Sequence, residues 1–255
     1  MKIIAKIILI CLFVSSNKIV HAQQFLQEGL IEFEVKTNIK KTMGDNPFEN
    51  MIKDKLPQFK TSYFRYSFSN NESIYQFHHW AENNKLPDFY RRNDEENKYY
   101  SNFNTNLFAA SKYVFGTNFI ISDTLPPIKW KLSNENREIA GFNCRKATGI
   151  IFDSVYVFAF YTDEIMISGG PASINGLPGM ILGLTAPRLY TSWIATKVIV
   201  SDVNKAEIKP ISSKKTYSIN AMKTLLLDKT KDFNLGDDDK EKQKFIDQLI
   251  WNSLL

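Results

Sequence analysis

The stretch YFRYSFSNNESIYQFHHW, Tyr63 to Trp80, alternates apolar and polar residues on either side of a pair of asparagines. Phe64, Tyr66 and Phe68 fall on one face and Tyr63, Arg65 and Ser67 on the other, which is the period of two of a β-strand. Asparagine tolerates left-handed backbone, so Asn70-Asn71 supplies a reversal, and Ser73–Trp80 follows as the hairpin partner.

Working outward, LIEFEVK repeats the pattern, with Ile31, Phe33 and Val35 opposing Glu32, Glu34 and Lys36. Asn102–Leu107, Lys112–Phe115, Asn118–Ser122, Lys129–Ser133, Asn143–Phe152, Val155–Tyr161 and Thr191–Val200 read as further strands, with Asp153-Ser154 a tight turn between two of them. The 19 Phe and 11 Tyr favour the same conformation. Strands this closely spaced predict a mainly β (α+β) fold, a curved antiparallel sheet or half-barrel with C-terminal helices. A half-barrel wrapped on a helix is the shape of periplasmic lipoprotein carriers, which is an analogy of shape alone.

Three helices are predicted. PFENMIKDKL (47–56) follows an Asn46 cap, and a second helix covers 218–231 with Ser218 as its cap. The third covers 238–253, where Asp237, Asp238 and Asp239 favour a helix start. Phe245, Ile246, Leu249, Ile250 and Ser253 then recur on one face. Ala81–Lys98 and Asn204–Ser213 read as loops, with RRNDEENK (Arg91–Lys98) a solvated hairpin loop.

Residues 1–22 read as a secretory signal: Lys2 and Lys6, the short apolar core Ile7–Val14, and the small-residue site Val20-His21-Ala22. That core is too short to span a bilayer, and Ile10 before Cys11 does not fit a lipoprotein signal. Residues 23–255 then form a single exported domain without a transmembrane segment, located in the periplasm or at the cell surface, or secreted. Loss of Lys2, Lys6 and Lys18 lowers the net charge from +5 to +2, which leaves no electrostatic footprint for nucleic acid. Cys144 becomes the sole cysteine, either a small core residue or an intermolecular partner.

GGPASINGLPGMILGL, Gly169 to Leu184, concentrates turn-formers and runs straight into an apolar segment. LPGM (177–180) has the residues of a type II turn, with Pro178 and Gly179 at its centre. Gly169-Gly170-Pro171 makes a second bend, and Met180, Ile181, Leu182 and Leu184 then run apolar without alternation, as buried chain does. The loop is either a lip over a cavity or a rigid plug at one end of the sheet. It lacks the order of a phosphate loop.

The motif Gly176-Leu177-Pro178-Gly179-Met180-Ile181 resembles that of the GLPGLI family, exported proteins of the Bacteroidota. The wider pattern also matches, through Trp130, Ile139-Ala140-Gly141-Phe142-Asn143-Cys144-Arg145-Lys146-Ala147, Tyr161-Thr162 and Gly170-Pro171. Met180 stands where the family commonly has leucine, and Met166 where it often has proline. The resemblance implies export to the cell envelope, no known cofactor and no agreed activity.

The remaining chemistry is sparse. His78 and His79 are adjacent, and neighbours on a regular strand point to opposite faces, so joining one ion requires distortion. There is no H-E-x-x-H, C-x-x-C or G-x-S-x-G. Cys144 lies inside a strand pattern rather than where thiolates are activated. The aromatic stripes of YFRYSFS and VYVFAFY either line a concave ligand site or form core. The expectation is a non-enzymatic envelope protein that binds a partner protein or an apolar ligand, with possible outer-membrane association and no cofactor. The candidate site is Gly170, Pro171 and Gly176–Ile181. The alternative is a hydrolase or metal-dependent enzyme using His78 or His79 with carboxylates.

Overall fold

A computed structural model describes residues 25–43, 51–82, 86–200, 203–231, 233 and 239–255. The expected signal segment, the Asn46 cap and the first residues of the 47–56 helix lie outside the described residues.

Eleven strands form one antiparallel sheet: β1 (Gly29–Asn38), β2 (Phe59–Ser69), β3 (Glu72–Trp80), β4 (Lys98–Asn102), β5 (Leu107–Val114), β6 (Thr117–Thr124), β7 (Lys131–Ile139), β8 (Phe142–Ile151), β9 (Val155–Thr162), β10 (Met180–Ala186) and β11 (Thr191–Ile199). The spatial order is β6-β5-β4-β3-β2-β1-β11-β10-β9-β8-β7, and the sheet does not close into a barrel. It is two meanders, β1 to β6 and β7 to β11, each built from sequential neighbours. They join along one seam, where β1 pairs with β11 from Leu30 opposite Ile199 to Thr37 opposite Thr191. The described fold also holds the helices α1 (Ile39–Thr42), α2 (Asp88–Glu95), α3 (Ile219–Thr230) and α4 (Asp239–Leu254), and residues 51–53, within the expected 47–56 helix, are helical as well.

The opening hairpin forms as its sequence dictates. Asn70 and Asn71 both adopt positive φ, 53° and 59°, and β2 pairs with β3 across them. The inward residues of β1, β2 and β3 meet in one core: Phe33 meets Tyr66 edge to face at 6.4 Å, and Phe64 stacks on Tyr75 at 4.8 Å. The same core takes in Ile174, Leu177 and Ile181 from the glycine-rich stretch, Ile165 just before it, and Met222, Leu226, Ile250, Trp251 and Leu254 from α3 and α4. Burial of this apolar surface holds the helices on the sheet, since single helices of this length are marginal.

Several expectations are corrected. The expected strand Asn102–Leu107 is instead the end of β4, a turn over 103–106 and the start of β5. The Asn102 side-chain oxygen accepts from the Asn104 and Thr105 amides at 3.0 Å each and draws the chain into a turn. The expected loop Ala81–Lys98 contains α2, so Arg91–Glu95 is helical and Lys98 already belongs to β4. Asp88 in the first turn and the Arg91–Glu95 ion pair at 3.0 Å support that helix, and Trp80 Nε1 donates to Glu95 at 2.7 Å. In α4 Ile250 and Ser253 are buried as expected and Ile246 packs on the core, whereas Phe245 is exposed and Gln248, Trp251 and Leu254 join the buried face. In VYVFAFY the inward residues are Val155, Val157, Ala159 and Tyr161, whereas Phe158 and Phe160 face out beneath Lys146 and Arg137.

Candidate functional site

A cavity of about 250 Å³ opens between the sheet and α4. Val35, Phe64, Leu189 and Trp193 give it apolar walls, and Ala172 from the glycine-rich loop closes part of one side. Into this space the fold brings Lys112, Lys60, Asp94, Tyr75, Tyr99 and Asn97.

Lys112 is the unusual residue. It lies on β5 in phase with Phe108, Ala110 and Val114, so the strand period forces it inward, and it is 2% exposed. Its Nζ donates to the Tyr99 hydroxyl at 2.5 Å and lies 4.9 Å from the Tyr99 ring centre. Burial pulls its pKa down to about 7, against the attraction of Asp94. Asp94, at the end of α2, accepts from Lys60 at 2.7 Å and from the Ser62 hydroxyl at 2.8 Å. The Tyr99 hydroxyl donates to the Leu255 carbonyl. Burial raises the pKa values of Tyr75 and Tyr99, so both stay protonated as donors at neutral pH. The Tyr75 hydroxyl, beside Trp193, makes no hydrogen bond of normal geometry, and Asn97 Oδ1 has no partner. Buried polar groups are normally paired, so these two atoms, within a lining that also holds Lys112, mark a place for a polar ligand atom or water. The arrangement offers one buried ammonium, hydroxyl donors and apolar walls, which suits an anion attached to an apolar body.

The glycine-rich stretch forms a corner packed into the sheet rather than a free lip. Leu177, Gly179, Met180 and Ile181 are buried, as are Gly170 and Pro171, while Gly176 and Pro178 are exposed. The turn at Leu177–Met180 closes one residue tighter than a type II turn, with the Gly179 amide on the Leu177 carbonyl at 2.8 Å. Gly179 has φ +137°, and a Cβ there would run into the Thr162 carbonyl. At Gly169 the obstacle to a Cβ is the Tyr66 hydroxyl. The corner is tied down by the Ile181 amide on the Gly169 carbonyl (2.9 Å), Ser168 Oγ on the Leu177 carbonyl (2.6 Å) and Trp130 Nε1 on the Asn175 carbonyl (2.9 Å). Trp130, Thr162, Gly170-Pro171 and the 176–181 motif, dispersed in sequence, thus meet at one place.

The other candidates lie apart. Cys144 is fully buried and its thiol is pushed up to about 12, chiefly by burial, which makes it inert as a nucleophile. His78 and His79 are exposed on the outer face of the sheet. They do not point to opposite faces as a regular strand requires. A bulge intervenes, with His79 opposite Tyr63 and Phe77 opposite Phe64. Burial, Arg65 and His79 hold the His78 pKa below its ordinary value, opposed by Glu32. Sequence reasoning passed over Lys112, Lys60, Asp94, Tyr75 and Tyr99. One signal was available: a lysine in the apolar phase of a strand.

Fold and site together define an open, mainly antiparallel β protein curled over a partly polar cavity. Residues 151–183, from the end of β8 through the corner, match the model of a family described as "Protein of unknown function (Porph_ging)". No curated protein matches the chain. Solved structures similar to it include two crystal forms of PNGF-II. The first is 13% identical with a TM-score of 0.47, covering 75% of this chain and 31% of that one. The second is 12% identical with a TM-score of 0.48, covering 88% and 33%. An uncharacterised conserved protein from Thermus thermophilus is 9% identical with a TM-score of 0.37, covering 78% of this chain and 94% of that one. The chain spans about a third of the length of PNGF-II.

Proposed function

We propose that the protein is an exported cell-envelope member of the GLPGLI family that binds a small ligand with an apolar body and an anionic head, without a catalytic role. The observation that carries this reading is Lys112, buried beside a cavity with apolar walls. Isolated buried charge is costly, and an anion beside the ammonium offsets that cost. Lys60 and Asp94 line the same cavity, so the Lys112 ammonium sits within a polar set rather than in a wholly apolar wall. The volume lies just below the roughly 300–1,000 Å³ of small-molecule sites, so the ligand is small. The corner at 169–181 shapes one wall through Ala172. Among the described residues, no helix is long and apolar enough to cross a membrane.

The test is native mass spectrometry of protein purified gently from its own envelope fraction, followed by calorimetric titration with octanoate at pH 6. A reproducible adduct of a small acid, octanoate binding, and loss of both in Lys112→Met support the reading. A bare protein that takes up no octanoate overturns it. Sequencing of the purified protein from its N-terminus checks the export step, with Gln23 expected first.

A further inference from the structure

The outer face of the sheet carries two neighbouring irregularities that the cavity does not use. On β3, His78 is the extra residue, set between the pairs His79–Tyr63 and Phe77–Phe64. Where β1 meets β11, Glu32 pairs with Lys197 and Phe33 with Ala195, so Thr196 is extra. A bulge breaks the alternation of side chains and re-aims them. Here it turns two successive histidines to the same solvent-facing side, with ring centres 4.7 Å apart. Glu32 reaches the same spot from two strands away, its Oε2 lying 4.0 Å from His78 Nε2. One donor atom from each of the three residues lies within 4.8 Å of the others.

We propose that Glu32, His78 and His79 bind a divalent transition-metal ion on this outer face. Two imidazoles and one carboxylate suit zinc and its neighbours and leave a fourth position for water or a further ligand. Donors on a tetrahedral ion about 2.1 Å from each stand roughly 3.4 Å apart, so exposed side chains need only a small rotation to close on it. The surroundings hold the donors in place. Tyr63 stacks on His79 at 4.5 Å with nearly parallel rings and donates to Glu34 at 3.1 Å. The Thr196 hydroxyl lies 3.2 Å from both the carbonyl and the carboxylate of Glu32. Arg65 works against the ion. Its Nη2 lies 2.9 Å from His78 Nε2, and it competes both for that lone pair and by charge.

The experiment is calorimetric titration of the untagged protein with ZnCl₂, with circular dichroism to check that each variant is folded. Saturable one-to-one binding is expected, weakened at least about tenfold in Glu32→Gln and lost in the double variant His78→Ala/His79→Ala. Both histidines are exposed, so the double variant is expected to fold. Arg65→Ala removes the competitor and is expected to tighten binding several-fold. Absence of saturable binding, or binding that survives in the double variant, overturns the proposal. Affinity unchanged or weaker in Arg65→Ala overturns the assignment of His78 Nε2 as a donor.

Discussion

The corner at Gly169–Leu184 and the cavity around Lys112 touch through Ala172, yet they are built on opposite principles. The corner is local. Its turn-formers lie in one run of sequence, and they answer to close approaches such as that of Gly179 to the Thr162 carbonyl. The cavity draws its polar residues from β2, β3, β4, β5, α2 and the turn after α2, and apart from Lys112 each is ordinary in its own segment. The corner spends its residues on shape, while the cavity keeps buried charge that shape alone does not require. A motif conspicuous in sequence can therefore be scaffold, and the chemistry can sit beside it.

This contrast is open to direct attack. The largest effect is expected at the corner. Gly179→Val combines a positive φ with a clash against backbone that has no room to move, so it should cost more than about 4 kcal/mol or prevent folding. A urea midpoint near that of the parent would break the scaffold reading. Next comes Asp94→Ala. It leaves Lys60 and Lys112 without their buried counter-charge and should cost about 3 kcal/mol in urea unfolding at pH 6.

Lys112→Met should act in the opposite direction. Removing a buried charge from apolar walls is expected to stabilise by about 1–3 kcal/mol at pH 6 while abolishing octanoate binding. The pH dependence fixes the sign. The unfolded chain keeps the Lys112 proton up to 10.5, whereas the folded protein releases it near 7. Between these values the unfolded state binds more protons, so this residue makes stability rise with pH across the window and applies its full penalty below it. The advantage of Lys112→Met should therefore shrink between pH 7 and 10.5, and an advantage independent of pH would sink the account. The smallest effect concerns Cys144. Iodoacetamide at pH 8 should modify the folded protein at least about a hundredfold more slowly than the urea-unfolded chain.

The sheet was legible where the period of two was clean. Ile31, Phe33, Val35, Phe64, Tyr66 and Phe68 all face the core as their alternation implies. It was illegible at β4, where Tyr99 and Tyr100 are both buried, one under α4 and the other beneath Val203 and Ile208 on the far side. A strand covered on both faces has no alternation to read. The α2 helix was hidden in a run of charges because its support comes from ion pairs and from Trp80, outside its own segment. The paired histidines were misread for a different reason. A bulge is set by the pairing of two strands, and nothing in HHW announces it. Of the cavity, Lys112 alone left a trace in its strand phase, since the others acquire their meaning only from their neighbours in space.

The seam between β1 and β11 has a consequence for how the chain assembles. Each meander grows by pairing the next strand in sequence, which is fast because little loop entropy is lost. The seam is the exception, since Leu30 must wait for Ile199. Until β11 arrives, β1 is an exposed edge carrying Ile31, Phe33 and Val35, open to pairing with another chain. The slow step of folding, and the moment of greatest risk of aggregation, therefore falls when the two halves meet in the middle of the finished sheet.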